Sequence, residues 1–83
     1  MADSELIQAV NEVFVDSFEI APERVTPQAQ IFDDLGLDSL DMVDLAVSLQ
    51  KKIGVNIRDD ERTRSIRSMQ DLYDYLTALK SGD

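Results

Sequence analysis

The 83-residue chain has no cysteine, no histidine and no tryptophan. Without cysteine there is no disulfide framework and no thiolate nucleophile. Without histidine the usual general base and the commonest metal ligand are missing. Proline is confined to Pro22 and Pro27, and glycine to Gly36, Gly54 and Gly82. No apolar run approaches the roughly 18 residues of a membrane span, so no membrane insertion is expected. The opening Met1-Ala2-Asp3-Ser4-Glu5 is acidic and lacks the basic and apolar regions of a signal peptide. A chain this short buries only about 60–65% of its unfolded surface, too little for both a deep catalytic cleft and a full core. The expectation is one domain over residues 1–83, soluble, cytoplasmic and monomeric.

Basic residues are scarce in one half. Residues 1–50 hold eleven acids and a single base, Arg24, whereas residues 51–83 hold six acids and seven bases. The net charge of −9 therefore lies in the first half. Such a surface repels nucleic-acid phosphates and attracts basic proteins. Solubility alone would account for the total but not for its placement.

What is present is helical periodicity. Leu6, Ile7, Val10, Val13, Phe14 and Phe18 recur at spacings of three and four and predict a helix over 4–18, capped by Ser4 or Asp3. Residues 19–38 contain both prolines and form a long connection, tacked down by Ile20, Val25, Ile31, Phe32 and Leu35, with a helical turn near 28–33. A second helix over 39–53 has an inner stripe of Met42, Leu45, Ala46, Leu49 and Ile53. Beside it runs a second stripe, Leu40, Val43 and Val47, flanked by Asp38, Asp41 and Asp44. Two stripes exceed what one buried face needs, so the second reads as a docking surface edged by carboxylates, the plainer alternative being additional core. Gly54 reads as its C-cap, with Lys51 and Lys52 at the negative end of the dipole. Val55 and Ile57 are expected to be buried. A short third helix is expected near 59–65, and a last helix over 68–80 opened by a Ser68–Asp71 capping box, with one of Tyr73 and Tyr75 at the edge of its apolar face. The fold class is all-α: a small antiparallel four-helix bundle of three main helices and one short one, with a long ordered loop between the first two.

The stretch from Asp33 to Leu45 organises the rest. Gly36 permits a turn that a β-carbon would penalise. Asp38 reads as an N-cap and Asp41 as the returning arm of a capping box. Ser39 is then the first helical residue, with its hydroxyl at the positive end of the dipole, where a phosphate is favoured. Rival chemistries fit poorly. A calcium loop starting at Asp34 would need glycine and glutamate where Ser39 and Leu45 stand. Hydrolysis through Ser39 lacks a histidine base, and the lysines lie only at 51, 52 and 80. Carboxylate-pair catalysis needs acids facing each other across a cleft. The chain is not expected to be an enzyme, and no metal site is assigned.

Leu35-Gly36-Leu37-Asp38-Ser39-Leu40 resembles the modification motif of acyl carrier proteins, whose core is Asp-Ser-Leu after a glycine. The resemblance extends over nearly the whole chain, including the long loop. It implies that Ser39 bears a covalent 4′-phosphopantetheine arm through a phosphodiester, and that the arm's thiol holds an acyl chain as a thioester. It implies as partners a phosphopantetheinyl transferase and acyl-transferring or chain-elongating synthases with basic docking surfaces. Under it, Asp38, Asp41 and Asp44 steer partners, and Leu40, Val43 and Val47 supply apolar contacts. A sequestered acyl chain is expected between the second helix and the third-helix region, with Met42, Ala46 and Leu49 as pocket residues; Ala46, the small member of a bulky stripe, either leaves room for the chain or lets the helices pack closely. Gln50-Lys51-Lys52 and Arg58, Arg62, Arg64 and Arg67 depart from the acidic pattern of fatty-acid carriers and leave a polyketide or other dedicated pathway open. The alternative is an unmodified acidic domain that binds a partner through the same surface.

Overall fold

The computed structural model describes residues 4–57 and 61–80. Helices α1 (Ser4–Phe18), α2 (Ser39–Ile53), α3 (Glu61–Arg64) and α4 (Met69–Lys80) make an all-α bundle of three long helices and one short one. No strand occurs among the described residues, where one isolated antiparallel bridge joins Gln30 to Ser68. The expected cap at Asp3 lies outside them, as do residues 58–60, where the third helix was expected to begin.

Helix α1 is the hub and packs against both α2 and α4. Its buried Leu6, Val10, Val13 and Phe14 follow the spacing of one helical face. Two polar contacts fix its neighbours. The Tyr73 hydroxyl donates to Asn11 Oδ1 between α4 and α1. Burial pushes the Tyr73 phenol up. At the surface, Lys52 Nζ lies 2.9 Å from Glu12 Oε2 and ties α2 to α1. That hydrogen bond and the Glu12 charge hold the Lys52 ammonium above the usual lysine range. Glu19 ends α1 at φ 56°, a left-handed conformation that costs an ordinary residue about 1 kcal/mol. It turns the chain so that Ile20 enters the core and its N–H donates to the Phe14 carbonyl at 3.3 Å.

The connection from α1 to α2 is ordered, as its length demanded. A 3₁₀ turn spans Pro22–Arg24. Ile20, Val25, Ile31 and Leu35 are buried as expected, but Phe32 is not an anchor: it is 37% exposed. Ala29 and Leu37 take core positions instead. The expected turn near 28–33 forms slightly later, where the N–H groups of Asp34 and Leu35 both donate to the Gln30 carbonyl, at 2.8 and 3.1 Å. The Asp34 carboxylate accepts from Gln30 N–H at 2.7 Å and closes this turn from the other side. Arg24 donates its guanidinium to the Asp34 carbonyl.

Three backbone bonds strap the loop to the start of α4: Ile31 N–H to Arg67 O at 2.8 Å, Met69 N–H to Ala29 O at 3.0 Å, and Gln70 N–H to Pro27 O at 3.0 Å. The expected Ser68–Asp71 capping box is present, with Asp71 N–H donating to Ser68 Oγ and Ser68 N–H to Asp71 Oδ2. Every N–H in the first turn of α4 therefore has an acceptor, since Leu72 donates to Ser68 O. Both tyrosines are buried, correcting the expectation that one sits at the edge. Tyr75 is covered in part by the Arg62 guanidinium, 5.2 Å from its ring centroid. Val55 and Ile57 are half-buried against the core, and Ile66 between α3 and α4 is fully buried.

Candidate functional site

Ser39 stands where the loop becomes α2. Asp38 holds an extended conformation (φ −119°, ψ −173°) and its Oδ1 accepts from Asp41 N–H at 3.0 Å. Asp41 Oδ2 accepts in return from Asp38 N–H at 3.2 Å, completing the capping box read from the spacing. Met42 N–H donates to the Asp38 carbonyl at 3.0 Å. Gly36, two residues before the cap, takes φ 76°, which an L side chain resists.

The two long capped helices differ at their starts. The loop carbonyls and Ser68 close the N-terminus of α4 completely. At α2 the cap serves Asp41 and Met42, and no acceptor among the described residues meets the N–H groups of Ser39 and Leu40. The exposed Ser39 hydroxyl thus stands beside two open donors at the positive end of a fifteen-residue helix. An anion bonded to that oxygen gains from both.

Helix α2 presents two faces. Leu45 and Leu49 are buried, with Met42, Ala46 and Ile53 partly so. Leu40, Val43 and Val47 are 78%, 63% and 46% exposed, and Val43 and Val47 also line the groove that opens beside Ser39. The second stripe is therefore surface, not additional core. Asp38 and Asp44 are exposed beside it, while Asp41 is half-buried by its capping role. At the far end Gly54 takes φ 82° and its N–H donates to the Gln50 carbonyl at 2.9 Å, as a C-cap does.

Between α2 and the α3 region runs an open groove of about 570 Å³, lined by Ser39 and by Met42, Ala46 and Leu49. Its opposite wall includes Ile57, Ile66 and Tyr75. Phe32, Gln50, Thr63 and Arg64 also line it, and the sequence pattern did not single them out as groove residues. Hydrophobicity alone makes Phe32 a core anchor, because loops carry no period that separates in from out. Arg64 lies on a helix of four residues, too short for a face to be legible. Among the described residues no three carboxylates gather into a metal-sized cluster, and no helix is long and apolar enough to cross a membrane.

The phosphopantetheine attachment site family matches residues 8–76. The chain is 38% identical over 79 residues to "Acyl carrier protein 2" of Ralstonia nicotianae, covering 95% of this chain and 96% of that one. It is 36% identical over 76 residues to an acyl carrier protein of Thermosynechococcus vestitus, covering 92% and 93% of the two chains. With an acyl carrier protein of Campylobacter fetus the identity is 39% over 71 residues, covering 86% and 91%. The groove, the capped serine helix and these likenesses agree in kind, and the chain belongs to the acyl carrier proteins, phosphopantetheine-bearing carriers rather than catalysts.

Proposed function

We propose that residues 1–83 act as one carrier domain in which Ser39 bears the 4′-phosphopantetheine arm, and that the cargo belongs to fatty acid, polyketide or a related dedicated acyl pathway. One observation carries the site assignment: an exposed hydroxyl beside two open N–H donors at the start of α2, on the lip of an apolar groove. When bound, the arm supplies a thiol that holds the acyl group as a thioester. The protein's own residues do the rest. Asp38 and Asp41 hold the first turn of α2, so that the serine oxygen stands clear of the surface. The N–H groups of Ser39 and Leu40 stabilise the charge of a phosphodiester on that oxygen. Met42, Ala46 and Leu49 offer apolar surface to an acyl chain folded back into the groove.

Partner recognition is assigned to the exposed side of α2. Leu40, Val43 and Val47 offer apolar contact, and Asp38, Asp41 and Asp44 draw in the basic surfaces of a phosphopantetheinyl transferase and of synthases. Arg62, Arg64 and Gln50-Lys51-Lys52 stand where fatty-acid carriers are mostly acidic, which supports a dedicated pathway over a housekeeping one.

Intact-mass spectrometry after incubation with coenzyme A and a phosphopantetheinyl transferase tests the assignment. Wild type gains one arm; Ser39→Ala gains none and keeps its helical circular dichroism. Its stability should change by no more than about 0.5 kcal/mol, because Asp38, not Ser39, caps the helix. Modification of the alanine variant would remove Ser39 from the role. An unmodified wild type would favour a plain interaction domain.

A further inference from the structure

We propose that the groove beside Ser39 favours an oxygenated acyl group, one with a ketone or carboxylate oxygen along its chain, and that Arg64 is the residue that recognises it. This inference rests on the carrier reading of Ser39.

A saturated chain asks a groove for hydrocarbon alone, and Met42, Ala46, Leu49 and Ile66 supply it. The remaining lining is polar in a particular way. Gln50, Thr63 and Arg64 all offer hydrogen-bond donors. Arg64 is the sole charged side chain among the described residues that line the groove. In a chain with seventeen acids and eight bases, a wall chosen without regard to charge would carry a carboxylate about twice as readily as a cation. Arg64 itself is exposed, so it stands at the mouth of this open groove, where a cargo oxygen meets its guanidinium with apolar wall on one side and solvent on the other. Arg64 already takes part in interactions within the protein. Its planar fork has five N–H donors, so it can hold a protein contact and a cargo oxygen together. Gln50 lies eleven residues beyond Ser39 on α2, about 16 Å along the axis. The polar lining thus reaches well beyond the attachment point, to where the body of a cargo would lie. The competing account is that the Arg64 stem merely covers apolar surface while its head stays in water.

The experiment uses the full-length protein carrying stable amide analogues of three arms: hexanoyl, 5-oxohexanoyl and adipoyl, transferred to Ser39 from the matching coenzyme A derivatives and checked by mass. In wild type the two oxygenated arms should raise the melting temperature above that of the hexanoyl form by about 4–8 °C, the shift of roughly one net charge-assisted hydrogen bond in a domain of this size. Arg64→Met keeps an unbranched stem and should erase that difference when each oxygenated arm is compared with the hexanoyl form of the same variant. In the wild-type protein the Arg64 Nε–H resonance should move with either oxygenated arm and stay in place with hexanoyl. Equal melting temperatures for all three arms, or an advantage that survives Arg64→Met, would overturn the inference while leaving the carrier reading intact. Failure of all three arms to load would overturn the carrier reading first, and the inference with it.

Discussion

Asp38 carries more structural weight than the serine beside it. Its carboxylate closes the first turn of α2 and its backbone N–H receives Asp41 in return. Asp38→Ala should lower stability by about 1 kcal/mol, the cost of a lost N-cap, and Asp38→Ser should restore most of it. Urea midpoints of the two variants check this; equal midpoints for alanine and serine would refute the capping role. Tyr73 makes a second prediction. Burial raises its folded pKa above the unfolded value near 10.0, so the neutral phenol is the form that folding prefers. Its contribution is therefore complete below about pH 10 and is lost as the pH rises through the folded pKa. Tyr73→Phe leaves Asn11 Oδ1 without this donor and should cost about 1 kcal/mol at neutral pH. The stability gap between wild type and Tyr73→Phe should shrink in alkali, as read by denaturation at pH 8 and above pH 10. Ser39 and its cap were legible from the sequence because capping is local chemistry between residues three apart.

Helix α2 has two audiences, the core and the solvent. Leu45 and Leu49 face the first; Leu40, Val43 and Val47 face the second. The doubled stripe showed in the sequence that this helix has more apolar surface than one contact needs, and the structure leaves that surplus exposed. Docking should then depend on the charges beside the exposed stripe. Asp44→Lys should slow transfer of the arm to Ser39 by a basic transferase, most at low salt, because exposed charges act within a Debye length of about 8 Å at physiological ionic strength. Asp74→Lys, on α4, should change the rate little, although it breaks the 3.0 Å bond from Gln70 Nε2. Rates across a salt series decide it, with folding checked by circular dichroism. Equal slowing by both reversals would mean that bulk charge alone matters. Asp41 is the poorer probe because its carboxylate is part of the cap.

Over the whole molecule, the −9 net charge works against compactness. The acids lie mainly on residues 1–50, and Lys52 pairs with Glu12 at the surface. Exposed pairs of that kind add little stability. Screening should therefore help the folded state: the melting temperature should rise between about 10 and 150 mM sodium chloride, as the Debye length falls from roughly 30 to 8 Å. A flat or falling melting curve over that range would show that specific ion pairs outweigh repulsion.

Periodicity, capping chemistry and charge placement are local or additive properties, and the sequence by itself determined what depends on them. The three long helices, the Asp38–Asp41 and Ser68–Asp71 boxes, the Gly54 stop and the exposed stripe of α2 could all be read before folding. The tertiary structure alone decided the rest. Phe32 turned outward although its hydrophobicity argued for the core, and Ala29 and Leu37 turned inward, because an irregular loop has no period and is oriented by its anchors. Those anchors are backbone bonds from Pro27, Ala29 and Ile31 to the start of α4, about forty residues away in sequence, and backbone groups carry no residue code. The groove wall opposite α2 likewise combines Ile57, Arg64 and Tyr75, residues whose meeting depends on how the helices pack. Ser39 could be named from its neighbours in the chain; what its arm would meet could be named only from its neighbours in space.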